Sequence, residues 1–301
     1  MTSPYHRPVL LKESVDGLQI KENGVYVDVT FGGGGHSKEI LKRLGIKGRL
    51  FAFDQDEDAF ANTIDDSRFQ LIKGNFRFLR QFLKFYGILK IDGVLADFGV
   101  SSHQFDQPER GFSIRFDANL DMRMSKAGNR SAHEVVNTYA LEDLARIFFE
   151  YGELRNANAM AKVLVGARAE SPIKTTGQLK SVLQRFLPKM RENKVLAQVY
   201  QAVRIEVNQE IEALKEFLLQ TPQVLNVGGR VSMISYHSLE DRLVKRFIRS
   251  GKFEGEPEKD FYGNIEVPLK KIGRLIVPSE EEIILNNRAR SAKLRIAERI
   301  G

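Results

Sequence analysis

The first hundred residues alternate two periodicities. VYVDVTF (25–31), RLFAFD (49–54), FQLIKG (69–74) and IDGVLADF (91–98) are short runs rich in β-branched and aromatic residues, and each reads as a strand. Between them, SKEILKRL (37–44), stopped by Gly45, and FRFLRQFLKFYG (76–87), stopped by Gly87, carry helical spacing. Asp56 is placed to cap a further helix after the second strand. Strands separated by helices of this length predict parallel βαβ units, with helices on both faces of one sheet. Such crossovers are right-handed, so a ligand is expected at the carboxyl ends of the strands.

The middle of the chain changes period. From about 131 to 220 the apolar positions recur at three and four residues throughout. Leu141, Leu144, Ile147 and Phe148 share one face. Leu179, Val182, Leu183 and Phe186 share another, after a cap at Thr175/Thr176. Leu196, Val199, Tyr200 and Val203 make a third, and Ile211, Leu214 and Leu218 a fourth. These stripes are core positions. Strand character returns at GGRVSMISY (228–236), followed by a helix over SLEDRLVKRFIRS (238–250) with Ser238 as its cap. GRLIV (273–277) and AKLRIAERI (292–300) read as strands, SEEEIILN (279–286) as a short helix, and 251–270 as a loop. The pattern predicts one α/β sheet, 1–111 and 211–301, interrupted by an all-helical insertion at 112–210.

Composition narrows the chemistry. The chain has 301 residues and no cysteine, which excludes disulfides, thiolate metal sites and a cysteine nucleophile. His6, His36, His103, His133 and His237 are scattered, with no pair at metal-ligand spacing, so no metal is expected. No apolar run approaches the roughly 20 residues a membrane helix needs. MTSPYHRPVL lacks the apolar stretch of a secretory signal, and the expected location is the cytoplasm. The net charge is +7, and residues 270–301 alone hold eight Lys/Arg against four Glu. That balance favours a polyanionic partner.

The first strand runs into Gly32-Gly33-Gly34-Gly35 and a helix start at His36-Ser37. Consecutive glycines let backbone approach a ligand closely, and the helix offers it a positive N-terminus. Dinucleotides and S-adenosylmethionine are both held this way. The dinucleotide fingerprint G-x-G-x-x-G fails in both registers, ending at Ser37 or Lys38. Asp54 closes the second strand, twenty residues beyond Gly34, where a carboxylate accepts ribose hydroxyls. Phe76 follows the third strand, placed to pack on adenine, and Asp97 closes the fourth. Four elements at four successive strand ends point to a nucleoside pocket. S-adenosylmethionine is the better candidate, and without cysteine the transfer is direct, to nitrogen or oxygen.

Several segments resemble the bacterial 16S rRNA (cytosine-N4)-methyltransferase family. They are Val27–Ser37, Asp97–Gln104, Arg110-Gly-Phe-Ser with Leu120-Asp-Met-Arg-Met124, Ile234-Ser-Tyr-His-Ser-Leu-Glu-Asp-Arg242 and Arg288–Arg295. Tyr151-Gly-Glu153 and Gln201–Asn208 extend the resemblance through the insertion, so that it covers essentially the whole chain. It departs at Ala118-Asn119, Lys194–Gln198 and Asn287.

The resemblance implies a Rossmann-like class I methyltransferase sheet and methylation of a decoding-centre cytidine in 16S rRNA, on the small ribosomal subunit, by a monomer or homodimer. Carried over by position, the cofactor contacts are Gly34, Gly35, His36, Asp54, Phe76, Asp97 and Gln104. Asp97 is also the candidate catalytic acceptor of the amino proton. His237 and Glu240 either line the base pocket or form a helix start, and Arg110, Arg123, Arg288, Arg290 and Lys293 are candidate phosphate contacts. The insertion would serve substrate recognition. Left open are methylation of DNA amino groups or protein, a non-catalytic RNA-binding assembly factor, and a nicotinamide-dependent oxidoreductase.

Overall fold

The computed structural model describes residues 8–128, 130–257, 261–262 and 267–301. His6, most of the N-terminal segment, and parts of the 251–270 loop lie outside the described residues. The chain divides into two compact units, residues 1–99 with 211–301, and residues 100–210. The first boundary therefore falls at Gly99/Val100, twelve residues before the position expected from the pattern. The second falls at 210/211.

The first unit is a seven-stranded sheet of β1 (Val25–Asp28), β2 (Arg49–Asp54), β3 (Phe69–Lys73), β4 (Ile91–Asp97), β5 (Leu225–Ser235), β6 (Leu269–Ile276) and β7 (Lys293–Arg299). Its order is β3-β2-β1-β4-β5-β7-β6. The first five strands are parallel, and β7 runs antiparallel to both β5 and β6. This mixed α/β sheet with reversed order is the class I methyltransferase arrangement. Strand order reverses between β1 and β4, which is where such sheets open a crevice at their carboxyl ends.

Central strands are buried on both faces, as parallel sheets covered by helices require. One core joins Val27, Phe51, Phe53, Val94, Val231 and Met233 to Phe217 and Leu218. These last two come from helix Glu210–Val224, so the fourth apolar stripe serves the sheet rather than the helical unit. The outer strand β6 is largely exposed and carries Lys270, Lys271 and Arg274, charges that discourage edge pairing.

Local expectations fared unevenly. Asp56 caps the next element through Asp58 N, although that element is a 3-10 helix, Glu57–Asn62. The 76–87 helix divides into a 3-10 turn, Phe76–Phe78, capped by Asn75, and helix Leu79–Phe85. Helix Leu11–Gly17 has no cap that sequence reveals: it starts at Leu10 with φ of 50°, a left-handed conformation costly for a γ-branched residue. His237 rather than Ser238 caps helix Ser238–Ser250. Its extended backbone aims Nδ1 at Glu240 N, 3.4 Å away, and leaves Ser238 inside the first turn.

The second unit builds its own core from Leu144, Ile147, Phe148, Leu179, Leu183, Leu196, Val199, Tyr200 and Val203, the stripes read from the sequence. Ser131/Glu134 and Thr175/Gln178 close reciprocal caps on two of its helices. Residues 107–128 are mostly irregular, tied down by a bridge from Asn119 to Thr175.

Candidate functional site

Within the sheet unit the candidate residues gather around the glycine loop. Gly32 and Gly34 have φ of 51° and 73°, which glycine adopts without penalty. A Cβ on Gly34 would stand 2.8 Å from the Phe31 ring, and one on Gly35 would stand 2.1 Å from Pro8 Cγ. Gly34 is the N-cap of helix Gly35–Arg43 and supplies no side chain to its first turn. The first intrahelical bond is Lys38 N to Gly34 O, at 2.9 Å. The amides of Gly35, His36 and Ser37 precede it and have no acceptor within the helix. An anionic group is the natural partner of such a terminus.

Three carboxylates close the adjacent strands. Asp28, at the end of β1, is fully buried and accepts Ser37 Oγ at 2.7 Å and Thr30 N at 3.1 Å. Asp54, at the end of β2, accepts Gly32 N and Asp56 N, each at 2.8 Å. It therefore braces the loop while keeping lone pairs for other donors. Asp97, at the end of β4, accepts the Tyr236 hydroxyl on Oδ1 at 2.7 Å, and its own amide donates to Thr30 Oγ1 at 2.7 Å. Burial is the largest influence on all three carboxyls and pushes each up to about 6, against hydrogen bonds that favour the charged form. The nearby His36 ring pulls Asp97 in the opposite direction.

His36 is buried, and its ring turns inward. Nε2 lies 3.2 Å from Val9 O, an acceptor only, so Nε2 carries a hydrogen. Nδ1 then lies 3.9 Å from Asp97 Oδ2. Burial pushes the imidazole down, against the pull of Asp97. The ring thus holds the N-terminal strap, while the His36 amide belongs to the open first turn. Phe76 is half-buried, 5.7 Å and edge-on to Phe217 and 5.9 Å from Phe98. Asn75 beside it donates to Gln55 Oε1 at 2.8 Å.

Gln104 lies in the second unit. It is buried and closes a capping box with Ser101, accepting Ser101 N at 3.0 Å. The structure gives several other candidates local duties. Arg110 is buried and donates to the carbonyls of Arg123 and Met124, at 2.9 and 3.0 Å. Arg123 is paired with Asp121 at 2.7 Å. Lys293 reaches Asp241 at 3.2 Å, and Arg290 is exposed. Arg110 is therefore a structural brace, not the phosphate contact expected from its charge. Glu240 is buried and accepts Tyr236 N at 2.9 Å, and both His237 and Glu240 take part in the helix start.

Sequence reasoning missed Asp28, Thr30, Ser37 and Tyr236. Asp28 and Ser37 flank the glycines and offered a signal, an acid at a strand end and a hydroxyl at a helix start. Tyr236 offered only its place at the end of a strand. Together the groups suit a ligand with an anionic end for the open helix terminus, vicinal hydroxyls for Asp54 and a flat ring for Phe76. Asp97 is left for a proton donor.

The family model described as MraW methylase family matches residues 3–300. A Flavobacterium johnsoniae protein named ribosomal RNA small subunit methyltransferase H is 66% identical over 299 residues, covering 99% of each chain. A protein of the same name from Christiangramia forsetii is 66% identical over 296 residues, covering 98% of each. Among solved structures, an rRNA methylase from Streptococcus thermophilus aligns over 99% of this chain and 100% of its own, with 12% identity and a TM-score of 0.44.

Proposed function

We propose that this chain, which belongs to the MraW methylase family, transfers a methyl group from S-adenosylmethionine to the exocyclic N4 of a decoding-centre cytidine in 16S rRNA, acting on the small ribosomal subunit in the cytoplasm. The observation that carries this reading is the family match from residue 3 to residue 300, which takes in both units. Among the described residues no helix is long and apolar enough to cross a membrane.

The residues present fit the cofactor. Gly34 and Gly35 keep the loop bare, since a Cβ on either would collide with Phe31 or Pro8. The first turn, which has no side-chain cap and includes the His36 amide, would receive the methionine carboxylate. Asp54 would accept from the ribose hydroxyls, and Phe76 would pack on the adenine. When bound, S-adenosylmethionine supplies an activated sulfonium methyl group.

Asp97 does the chemistry the chain itself must supply. Cytosine N4 is a weak nucleophile because its lone pair is delocalised into the ring. A carboxylate accepting from the amino group helps localise that pair and holds the proton released there. A carboxyl near 6 is still mostly ionised at neutral pH, and so remains an acceptor. The helical unit recognises the RNA around the target.

The test is tritium transfer from labelled cofactor to small subunits, DNA or protein, with mass mapping of modified nucleosides in 16S rRNA. Label on a single N4-methylated cytidine is the expected result. Label on DNA or protein alone overturns it.

A further inference from the structure

We infer that Tyr236 is a positioning residue for methyl transfer: its hydroxyl donates to Asp97 Oδ1, fixes the carboxylate plane and leaves Oδ2 as the one acceptor for the amino proton of the target base. The inference rests on the methyltransferase reading and adds to it a residue that follows the neighbouring strand β5.

Neighbours hold both Asp97 Oδ1 and the Asp97 amide. Asp97 ends β4 and Tyr236 directly follows the neighbouring parallel strand β5, 139 residues apart in sequence, with the oxygens 2.7 Å apart. Tyr236 is itself held. Its amide donates to Glu240 Oε2 at 2.9 Å, and Glu240 is locked in the cap of helix Ser238–Ser250. A Cβ on Gly99 would stand 3.7 Å from the Tyr236 ring, so the ring lies against bare backbone there. On the other flank, Thr30 Oγ1 accepts the Asp97 amide at 2.7 Å. A carboxylate on its own rotates through a broad, two-fold well. One strong donor on Oδ1 removes that freedom and aims the lone pairs of Oδ2.

The phenol cannot take over as the acceptor. Burial and the neighbouring Asp97 both hold it in its protonated form. In the transfer, the bond from sulfur to methyl breaks and a bond from N4 to the same carbon forms. The sulfur keeps the electron pair of the broken bond. The N4–H bond then gives its proton to Asp97 Oδ2, and the Tyr236 hydrogen stays on Tyr236. The groups that face Asp97 are His36 from the helix after β1, Asp28 from β1, and Tyr236 and Glu240 from the segment after β5.

The experiment compares the full-length wild type with Tyr236→Phe, which keeps the ring and deletes the hydroxyl. Three readouts are taken: the Asp97 carboxyl titrated by carbon NMR without cofactor, kcat against pH on small subunits, and cofactor Kd by calorimetry. Loss of a donor to the charged form must raise the Asp97 midpoint. The acidic limb of kcat moves up with it, and kcat falls about tenfold at neutral pH, while cofactor Kd stays within about twofold. In an Asp97→Asn background the same substitution changes single-turnover rate little, because the group it acts through is gone. An unmoved midpoint and limb overturn the assignment, and so does a loss confined to cofactor affinity. A wild type that makes no methylated product overturns the functional reading instead, and the NMR titration then still decides whether Tyr236 controls Asp97.

Discussion

The three strand-end carboxyls of the sheet unit and the charged side chains of the helical unit are handled in opposite ways. In the sheet unit, Asp28, Asp54 and Asp97 end adjacent strands, and none forms an ion pair with a described Lys or Arg. Their partners are amides and the hydroxyls of Ser37 and Tyr236, and the His36 ring lies 3.9 Å from Asp97. In the helical unit, Arg110 serves the carbonyls of Arg123 and Met124. Arg168 serves those of Val136 and Tyr139, at 2.7 and 2.5 Å, where a helix ends. Glu206 accepts Tyr139 Oη at 2.6 Å and lies 3.5 Å from both Arg130 and Arg146. A charge whose partners are all supplied by the fold stabilises the fold. A carboxyl that is costly to ionise, with lone pairs to spare, favours whatever brings it donors. On the proposed function, the contrast separates the residues that would work on a ligand from those that hold the helices together.

The sharpest way to break the comparison is Asp97→Ala. It should cost on the order of 10²–10⁴-fold in methylation at saturating cofactor, the usual worth of a general base, as read by tritium transfer to small subunits. Turnover near wild type removes Asp97 from the chemistry. Arg110→Ala should act on stability instead. One buried carbonyl and one partly buried carbonyl lose their donor, at about 1–3 kcal/mol for the buried one, seen as a lowered denaturant midpoint with cofactor affinity retained. If Arg110→Ala folds as stably as wild type and loses RNA binding, the division between the units fails.

Gly34→Ala should lie between these classes. A left-handed alanine costs about 1–2 kcal/mol, and its Cβ would press on Phe31, so both the unfolding midpoint and cofactor binding should drop together. The smallest effect is a slope. Asp97 is held at about 6 in the folded chain, above the roughly 3.9 of an unfolded aspartate. The folded state therefore binds the proton more tightly, and that contribution is complete below pH about 4 and lost as pH rises through about 6. Asp97→Asn should flatten the fall in Tm across that window and raise Tm at neutral pH, while slowing methylation by about as much as Asp97→Ala. Arg110→Ala should leave the slope as it was. Scanning calorimetry over pH, without cofactor, measures both.

How much could be read beforehand depended on the range of the interaction. The alternation of β1 to β4 with helices, the bare loop at Gly34 and Gly35, and the stripes of Leu144, Leu179 and Val199 all lie in patterns a few residues long. Asp56 and Thr175 were legible as caps because a cap bonds two or three residues away. The cap at His237 was misplaced by one position, since either residue type could accept and only backbone direction chose between them. Arg110 resembled a phosphate contact because an arginine's charge is visible in sequence and its carbonyl partners, thirteen and fourteen residues on, are not.

What the chain's sequence determined by itself is the set of pieces: strands ending in acids, a glycine-bordered helix start, a run of amphipathic helices, and motifs that mark the family. Hydrophobic period and local hydrogen bonding decide these, and both are settled between near neighbours. Only the tertiary structure decided the order β3-β2-β1-β4-β5-β7-β6, and with it the meeting of Asp97 with Tyr236 and the burial that raises three carboxyls together. Strand pairing across more than a hundred residues is fixed by the packing of the whole sheet, and the electrostatics of a strand end depend on which strands lie beside it.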